Sequence, residues 1–305
     1  MDISGVSKSD QSNENIKSKA SMIQSKRAKF YPACFRQDFS LSNNIIYYIL
    51  KNPNSAKLYQ KMIQTCKYFF IKNPIIVIDS RLFIYDENNW YIICKPYDIS
   101  KVTFNFWITN NLIISPKDLT INEKMDKTFV SSIIPKLYKC APKYLTLYHQ
   151  NIFFRDLSFF ISSAEKIQFI SVCVKNDDGS NVAVEKIVEI AVKAKKITFR
   201  GGSMTSETMK ELLKIPNFLK LVEFFMTDIH ENFDLETFYN YMKKNKATKI
   251  WLRFDNQISE AYKNRIETII DEIITTKEFI YKPPMIYFSA LDHEKFETLR
   301  TIYFS

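Results

Sequence analysis

Aromatic and arginine residues recur at alternate positions of five short apolar segments between Tyr144 and Arg253. If each segment is a strand with its apolar positions buried, the intervening side chains share one open face, because successive strand side chains point to opposite sides. Exposed aromatic rings and guanidinium groups are typical of protein-binding surfaces. The candidate target-binding residues are Tyr144, Thr146, Tyr148, Gln168, Thr198, Arg200, Glu223, Phe225, Trp251 and Arg253. A later loop or the C-terminal segment could cover part of this face.

Catalytic and metal-binding patterns are weak by comparison. His149, His230 and His293 lie far apart and form no His-Glu-x-x-His pattern. The segment 200–203 (Arg-Gly-Gly-Ser) lacks the lysine and the length of a phosphate-binding loop, and it is predicted to be a strand-to-helix turn. The segment 177–181 lacks the glutamate that completes a calcium loop and is predicted to be a polar loop. We therefore expect no catalytic residue, no metal and no cofactor.

The five segments are copies of one hexamer pattern. They read Pro-Lys-Tyr-Leu-Thr-Leu, Ala-Glu-Lys-Ile-Gln-Phe, Ala-Lys-Lys-Ile-Thr-Phe, Leu-Lys-Leu-Val-Glu-Phe and Ala-Thr-Lys-Ile-Trp-Leu, ending at Leu147, Phe169, Phe199, Phe224 and Leu252. Their first buried positions, Leu145, Ile167, Ile197, Val222 and Ile250, recur at intervals close to the roughly 20–29 residues of leucine-rich repeats. These five residues are predicted to lie side by side on parallel strands.

Helical patterns fall between the hexamers. They cover residues 156–164, 184–195, 206–214, 235–246 and 259–275, and the last of these has one apolar stripe opposite a charged face. A further strand is predicted at 285–288 and a closing helix at 293–301. The predicted fold is α/β: a short N-terminal helical module followed by an irregular leucine-rich-repeat-like solenoid of strands and helices with a parallel sheet.

Four regions are predicted from changes in composition. Residues 1–34 form a disordered basic arm, in which the cluster 26–29 is a weak nuclear import signal. Residues 35–74 form two or three short helices, with a stop at Pro53 and a cap at Ser55. Residues 75–140 are β-rich, with strands near 75–78, 81–85, 90–94 and 102–108 before a helical stretch at 126–140. Residues 141–305 form the repeat body.

The helical region resembles an F-box, the module that attaches substrate receptors to the Skp1-type adaptor of Cullin-RING ubiquitin ligases. The residues that carry the resemblance are Leu41, Ile45, Ile46, Ile49, Leu50, Cys66 and Lys67, followed by Tyr68 and Phe69. Ser42 and Asn44 stand where the family has proline and an acidic residue. The resemblance implies that the first seven of these residues bind the adaptor.

The whole chain also resembles a large nematode family of F-box-like proteins. The likeness is carried by residues 58–74 (Leu-Tyr-Gln-Lys-Met-Ile-Gln-Thr-Cys-Lys-Tyr-Phe-Phe-Ile-Lys-Asn-Pro) and 132–140 (Ser-Ile-Ile-Pro-Lys-Leu-Tyr-Lys-Cys). It implies a ubiquitin-ligase receptor that recognises a protein target and has no enzymatic activity of its own. Two alternatives stay open: a repeat scaffold that does not bind the adaptor, and a nucleic-acid-binding protein.

Composition limits the remaining possibilities. The chain has a net charge of +10, but lysine and arginine are spread along it, so nucleic-acid binding is the weaker expectation. The five cysteines form no Cys-x-x-Cys pair and are expected to be reduced thiols. No secretory signal or membrane-spanning stretch is apparent, so we expect no membrane association and a cytoplasmic or nuclear location.

Overall fold

The computed structural model describes residues 40–85, 89–93, 95–116 and 129–305. The chain divides into two compact units, residues 1–52 and 53–305. The described part of the first unit is a helix, α1 (Asn43–Lys51), and the second unit is mixed α/β. The predicted basic arm and its cluster at 26–29 lie outside the described residues.

The second unit begins with two helices, α2 (Ala56–Thr65) and α3 (Lys67–Lys72). Its strands are β1 (Ile75–Ile78), β2 (Arg81–Ile84), β3 (Asn89–Ile92), β4 (Lys95–Asp98), β5 (Asn105–Ile108), β6 (Asn111–Ile114), β7 (Leu137–Cys140), β8 (Tyr144–Tyr148), β9 (Asn151–Phe153), β10 (Lys166–Ile170), β11 (Cys173–Lys175), β12 (Lys196–Arg200), β13 (Glu223–Ile229), β14 (Lys249–Phe254) and β15 (Met285–Tyr287). Its later helices are α4 (Phe129–Ile133), α5 (Phe154–Ile161), α6 (Val184–Ile190), α7 (Thr208–Leu212), α8 (Leu235–Met242), α9 (Glu260–Thr275) and α10 (His293–Phe304). None of the described helices is both long and apolar enough to cross a bilayer.

The two or three short helices predicted near the N-terminus are three in the structure: α1, α2 and α3. Ser55 caps α2, since its hydroxyl accepts a hydrogen bond from the Leu58 N–H at 3.2 Å. The residue that precedes Pro53 is Asn52, where α1 ends, as the restriction on residues before proline predicts. Tyr59 of α2 is fully buried and its hydroxyl donates to the Asn73 carbonyl oxygen. Burial raises the pKa of Tyr59 to about 12.

One ten-stranded sheet dominates the second unit. Its strand order is β15-β14-β13-β12-β10-β8-β6-β2-β3-β4. Neighbouring strands from β2 to β15 pair in parallel, whereas β3 pairs antiparallel with β2 and with the edge strand β4. Because each parallel neighbour must be reached by a crossover, a helix or a loop separates these strands in sequence.

The hexamers align in this sheet almost as predicted. Leu145 pairs with Ile167, and Ile167 with Ile197, which confirms the prediction for these three residues. Ile197 then pairs with Phe224 rather than with Val222, and Phe224 pairs with Ile250. The prediction for Ile250 is confirmed, and the prediction for Val222 is wrong by two positions.

Backbone hydrogen bonds at the amino ends of the strands explain the shift. The Lys143 carbonyl accepts from Glu165 and Lys166, and the Glu165 carbonyl accepts from Lys195 and Lys196. The Lys195 carbonyl accepts in the same way from Val222 and Glu223. Val222 therefore occupies the turn position that precedes each strand, and its side chain is 47% exposed.

The predicted orientation of Leu221 is also wrong. Simple alternation from a buried Val222 turns Leu221 outward, but Leu221 is buried. It lies before β13 begins, directly after the 3₁₀ turn Phe218–Lys220. A two-residue shift keeps every later residue of the strand on its predicted face, because strand side chains alternate with a period of two.

The parallel pairing of the large sheet extends further toward the N-terminus than the hexamers indicate. β2 and β6 join the large sheet beside β8, with Leu82, Leu112 and Leu145 in one buried row. A second, three-stranded parallel sheet has the order β1-β5-β7. The helix predicted over 126–140 is wrong at its end, since residues 137–140 form β7, the edge strand of this smaller sheet.

The core lies on the inward face of the large sheet. Leu147, Phe169, Phe199, Met226 and Leu252 form a second buried row beside the first. The crossover helices add their own apolar residues to the same core cluster, including four isoleucines of α9: Ile266, Ile269, Ile270 and Ile273. Within the described residues, Cys140 and Cys173 are free thiols.

Four neighbouring strands end in the same backbone conformation. His149, Ser171 and Gly201 directly follow β8, β10 and β12, and Asp228 is the penultimate residue of β13; each has a positive φ of 49° to 75°. The first three donate their N–H groups to the next strand, with N···O distances of 2.8 to 3.2 Å. Only one of the four is glycine, so the repeated turn holds three residues in a conformation that costs about 1–2 kcal/mol each.

We expect Phe224→Ala to lower the free energy of unfolding by about 3–5 kcal/mol, because it removes a buried aromatic ring from the inward row. Val222→Ala is the matched control and should change it by less than about 0.5 kcal/mol, as an exposed turn residue does. Urea denaturation measures both values. A larger loss of unfolding free energy for Val222→Ala than for Phe224→Ala would contradict the pairing of Ile197 with Phe224.

We also expect Gly201→Ala to destabilise the protein by about 1 kcal/mol, because alanine is disfavoured at a φ of +75°. An added Cβ meets no atom within 4 Å, so the loss would report backbone strain alone. Ser171→Gly, at the equivalent turn with a φ of 54°, should not be destabilising. Thermal denaturation of the two variants compares these effects, and equal losses in both would argue against strain.

Candidate binding surface

The outward face of the large sheet brings the predicted target-binding residues together. One row across five neighbouring strands is Thr146, Gln168, Thr198, Phe225 and Trp251. Tyr144 and Glu223 belong to the row on its amino side, and Tyr148, Arg200 and Arg253 lie toward the carboxyl ends of their strands. Tyr144 and Arg200 are exposed and the other eight are half-buried. None of the ten residues is fully buried, although Trp251 packs against the core.

The predicted adaptor-binding residues are not all accessible. Leu41 and Ile45 are each 48% exposed, whereas Ile46 and Leu50 are buried and Ile49 is half-buried. Three positions after Ile45, Tyr48 adds a second exposed apolar side chain to the same face of α1, and Leu41 lies just before the helix. In the second unit, Cys66 is half-buried and Lys67 is exposed. Of the seven predicted residues, Leu41, Ile45 and Lys67 are therefore accessible. Tyr48 is a further accessible residue of α1 that the sequence analysis did not identify.

Two ion pairs lie on the outward face. Lys196 Nζ is 2.6 Å from a carboxylate oxygen of Glu223, and a guanidinium nitrogen of Arg253 is 2.6 Å from Asp228. Both pairs are about 40% exposed, so each contributes little to stability. The guanidinium group of Arg200 has no ion pair or hydrogen bond within the described part of the chain. One unneutralised guanidinium group therefore stands at the carboxyl end of the face.

The C-terminal helix covers one end of this face. Tyr303 of α10 makes an edge-to-face contact with Trp251, with 5.7 Å between ring centroids. Lys249 Nζ lies 5.4 Å from the centroid of the Tyr303 ring. Burial, and then the nearby Glu223 carboxylate, raise the pKa of Tyr303 to about 12. The C-terminal segment therefore covers part of the outward face at Trp251, which was the alternative considered in the sequence analysis.

A cleft of about 390 Å³ remains where α10 meets the outward face. Its lining combines aromatic rings with cationic groups: Arg200, Phe225, Thr227, Trp251, Arg253, Tyr287, Leu291, His293 and Phe296. Four of these residues were predicted to bind a target. The other five were not, because Thr227 lies beyond the hexamer pattern and the remaining four follow the last hexamer. Phe296 and Tyr303 are seven residues apart, a spacing that places both on one face of a helix. This spacing could have identified the side of the cleft that α10 forms.

A second cavity, of about 280 Å³, lies at the carboxyl ends of β10 and β12. It is lined mainly by Phe169, Val174, Val182, Val184, Ile187 and Phe199, with the glycines of the segment 200–203 at its edge. Cys173 also lines it, and its Sγ lies 3.4 Å from the Asn181 side-chain oxygen. The segment 200–203 is a turn between β12 and the loop to α7, as predicted.

The predicted polar loop at 177–181 is held by its own side chains. Asp178 accepts hydrogen bonds from the Ser180 N–H and hydroxyl at 2.8 and 2.6 Å, and these bonds lower the pKa of Asp178. Asp177 pairs with Arg155 at 2.9 Å. Across the described ranges, no group of histidine, cysteine, aspartate or glutamate side chains is arranged to hold a metal ion.

Comparison with known proteins adds no further identification. No protein-family model matches the chain, and no curated protein matches it.

We expect Tyr303→Phe to extend the stability of the protein to higher pH. The folded-state pKa of Tyr303 is about 12 and the usual value is about 10, so the neutral hydroxyl's contribution is full below pH 10 and is lost between pH 10 and 12. The phenylalanine variant lacks this loss. Circular dichroism over pH 9 to 12 measures the unfolding midpoint, with the exposed Tyr48→Phe as the control. Identical midpoints for Tyr303→Phe and the wild type would contradict burial of the hydroxyl.

Proposed function

We propose that this chain is a non-enzymatic protein-recognition subunit that binds a protein target through the outward face of its large sheet. The observation that carries the proposal is the row Thr146, Gln168, Thr198, Phe225 and Trp251, which crosses five parallel strands on the outward face and contains no fully buried residue. Phe225 and Trp251 contact each other with 5.4 Å between ring centroids, so the row ends in a partly exposed aromatic pair. Aromatic anchors of this kind dominate binding energy at protein interfaces.

In this proposal the large sheet is an irregular leucine-rich-repeat-like solenoid. Support comes from the backbone hydrogen bonds that recur at both ends of β8, β10, β12 and β13, and from the helix or turn that returns the chain between them. A stack of similar units leaves a continuous face accessible to a partner.

We further propose that the target is delivered to an SCF-type ubiquitin ligase through a Skp1-type adaptor, with residues 35–74 as an F-box-like module. The exposed Leu41, Ile45 and Tyr48 support this role, since an adaptor helix needs an apolar strip that is not already buried. Ile46 and Leu50 are buried and would act by holding α1 in shape rather than by contacting the adaptor. The N-terminal assignment rests on this exposed strip and on the resemblance in sequence.

A repeat scaffold without adaptor binding is the first alternative, and it shares the same target-binding face. A nucleic-acid-binding protein is the second. The ion pairs Lys196–Glu223 and Arg253–Asp228 weigh against the second, because they neutralise two cations on the face that would meet phosphates.

Affinity purification of the full chain, followed by quantitative mass spectrometry, tests both roles. Ile45→Asp should abolish capture of the adaptor, since it places a charge in the exposed strip of α1. Thr198→Lys should abolish capture of target proteins and leave the adaptor bound, since it places a long charged side chain in the centre of the outward row. The matched controls are Val192→Asp, an exposed aliphatic position, and Thr268→Lys on the exposed side of α9.

Each result has a distinct meaning. If no adaptor is captured by the wild type, or if Ile45→Asp and Val192→Asp bind it equally, the scaffold alternative is correct. If Thr198→Lys and Thr268→Lys capture the same targets as the wild type, the outward face is not the binding surface. Loss of all capture upon nuclease treatment would favour the nucleic-acid alternative.

A further inference from the structure

The cleft between α10 and the outward face combines three features that no other described part of this face has together. It has an unneutralised cation, a buried hydroxyl without a partner, and walls made of aromatic rings. Its volume of about 390 Å³ is within the range of specific ligand pockets. What the cleft accepts can be inferred from each feature in turn.

The cationic groups require an anion. Arg200 is exposed and, among the described residues, has no carboxylate partner. Arg253 uses one guanidinium nitrogen to bind Asp228 at 2.6 Å, so its remaining N–H groups stay available to a second acceptor. His293 lines the same cleft and is exposed. Two guanidinium groups against one carboxylate leave the cleft with a net positive charge, which is complementary to a carboxylate.

The buried hydroxyl requires a hydrogen-bond acceptor. Thr227 is 2% exposed, and its Oγ1 has no hydrogen-bond partner among the described residues. It lies opposite Arg200 in the register of β12 and β13, on the outward side of the sheet. A buried hydroxyl without a hydrogen-bond partner is energetically unfavourable. A ligand oxygen beside Arg200 would remove this cost, because the Thr227 hydroxyl could then donate a hydrogen bond to it.

The walls require an apolar group next to the anion. The Phe225–Trp251 pair forms one side, and Tyr287 and Phe296, with 5.3 Å between ring centroids, form another. Leu291 completes the apolar lining. These rings bind an aromatic or aliphatic side chain by burying its surface.

The geometry points to the cleft as the site that binds an acidic side chain and its apolar sequence neighbour in the protein target. This inference rests on the proposed function and specifies the chemistry of the segment that is recognised. The carboxylate accepts hydrogen bonds from Arg200 and Thr227, and the apolar neighbour packs against Trp251 and Phe296. The rest of the outward row contacts the flanking residues of the target.

A protein segment fits the cleft better than a single-stranded nucleic acid. Bases stack on the open faces of aromatic rings, but Trp251 is contacted by Phe225 on one side and by Tyr303 on another. The Glu223 and Asp228 carboxylates also lie on the same face and would repel neighbouring phosphates. A short acidic segment avoids both difficulties because it carries its charge at one position.

Two pools of acetylated hexapeptides, applied to the immobilised full chain, test this inference. The first pool contains one glutamate beside one phenylalanine among neutral residues, and the second has glutamine in place of the glutamate. We expect the glutamate pool to be retained at least tenfold more strongly, because a charge-assisted bond to Arg200 is lost with glutamine. Mass spectrometry of the eluted peptides measures retention.

Three variants locate the effect. Arg200→Gln should reduce retention of the glutamate pool to the level of the glutamine pool. Arg81→Gln is the matched control, since it removes the same charge from β2, far along the strand order from the cleft, and it should change nothing. Thr227→Val should weaken retention about threefold or more and leave the melting temperature unchanged or higher, because it removes a hydroxyl that has no partner in the free protein. If Thr227 had only a structural role, Thr227→Val would lower the peptide retention and the melting temperature together.

Several outcomes would overturn the inference. Equal retention of the two pools, or full retention by Arg200→Gln, would exclude carboxylate recognition in the cleft. If phenylpropionate alone competes as strongly as the peptides bind, the site takes a small carboxylate and not a protein segment. Salt-sensitive binding of polyuridylate that is lost in Arg200→Gln would assign the cleft to nucleic acid. If the peptides fail while capture of targets remains sensitive to Thr198→Lys, only the cleft assignment is wrong and the proposed function stands.

Discussion

The constraint on which this molecule depends is the in-register parallel pairing of strands whose side chains alternate between two faces. Burial of Leu145, Ile167, Ile197, Phe224 and Ile250 in one row fixes the position of every neighbour along β8 to β14. A slip of one residue in any strand would exchange its buried and outward side chains. The hydrophobic effect thus sets the composition of the outward face indirectly, because the residues buried on the inward face cannot also lie on the outward one.

Much of this arrangement could be predicted because alternation is a local property. The last three residues of the hexamers that end at Leu147, Phe169 and Phe199 place apolar side chains at one parity only, and these strands are where they were predicted. The segment at 219–224 has leucine and valine at both parities, so periodicity alone could not choose between Val222 and Phe224. The choice is made by backbone hydrogen bonds to Lys195, which belong to a different repeat.

The parts that could not be predicted depend on contacts between distant residues. Residues 137–140 were predicted as helix, but they pair with β5 and therefore form a strand. Tyr303 is brought to Trp251 by the packing of α10, and Thr227 is buried although it lies on the outward side of its strand. The sequence predicted the residues of the sheet face, whereas the cleft exists only because the last helix folds back over that face.

The two edges of the large sheet are closed in different ways. At one edge, β4 contains Pro96, which has no N–H group to donate, between the charged residues Lys95 and Asp98. At the other edge, β15 contacts α10. Among the described residues, both edges therefore carry a feature that disfavours pairing with an additional strand. Duplication or loss of an internal strand–helix unit would leave both closures intact, so related chains could differ in the length of the sheet without becoming prone to end-to-end association.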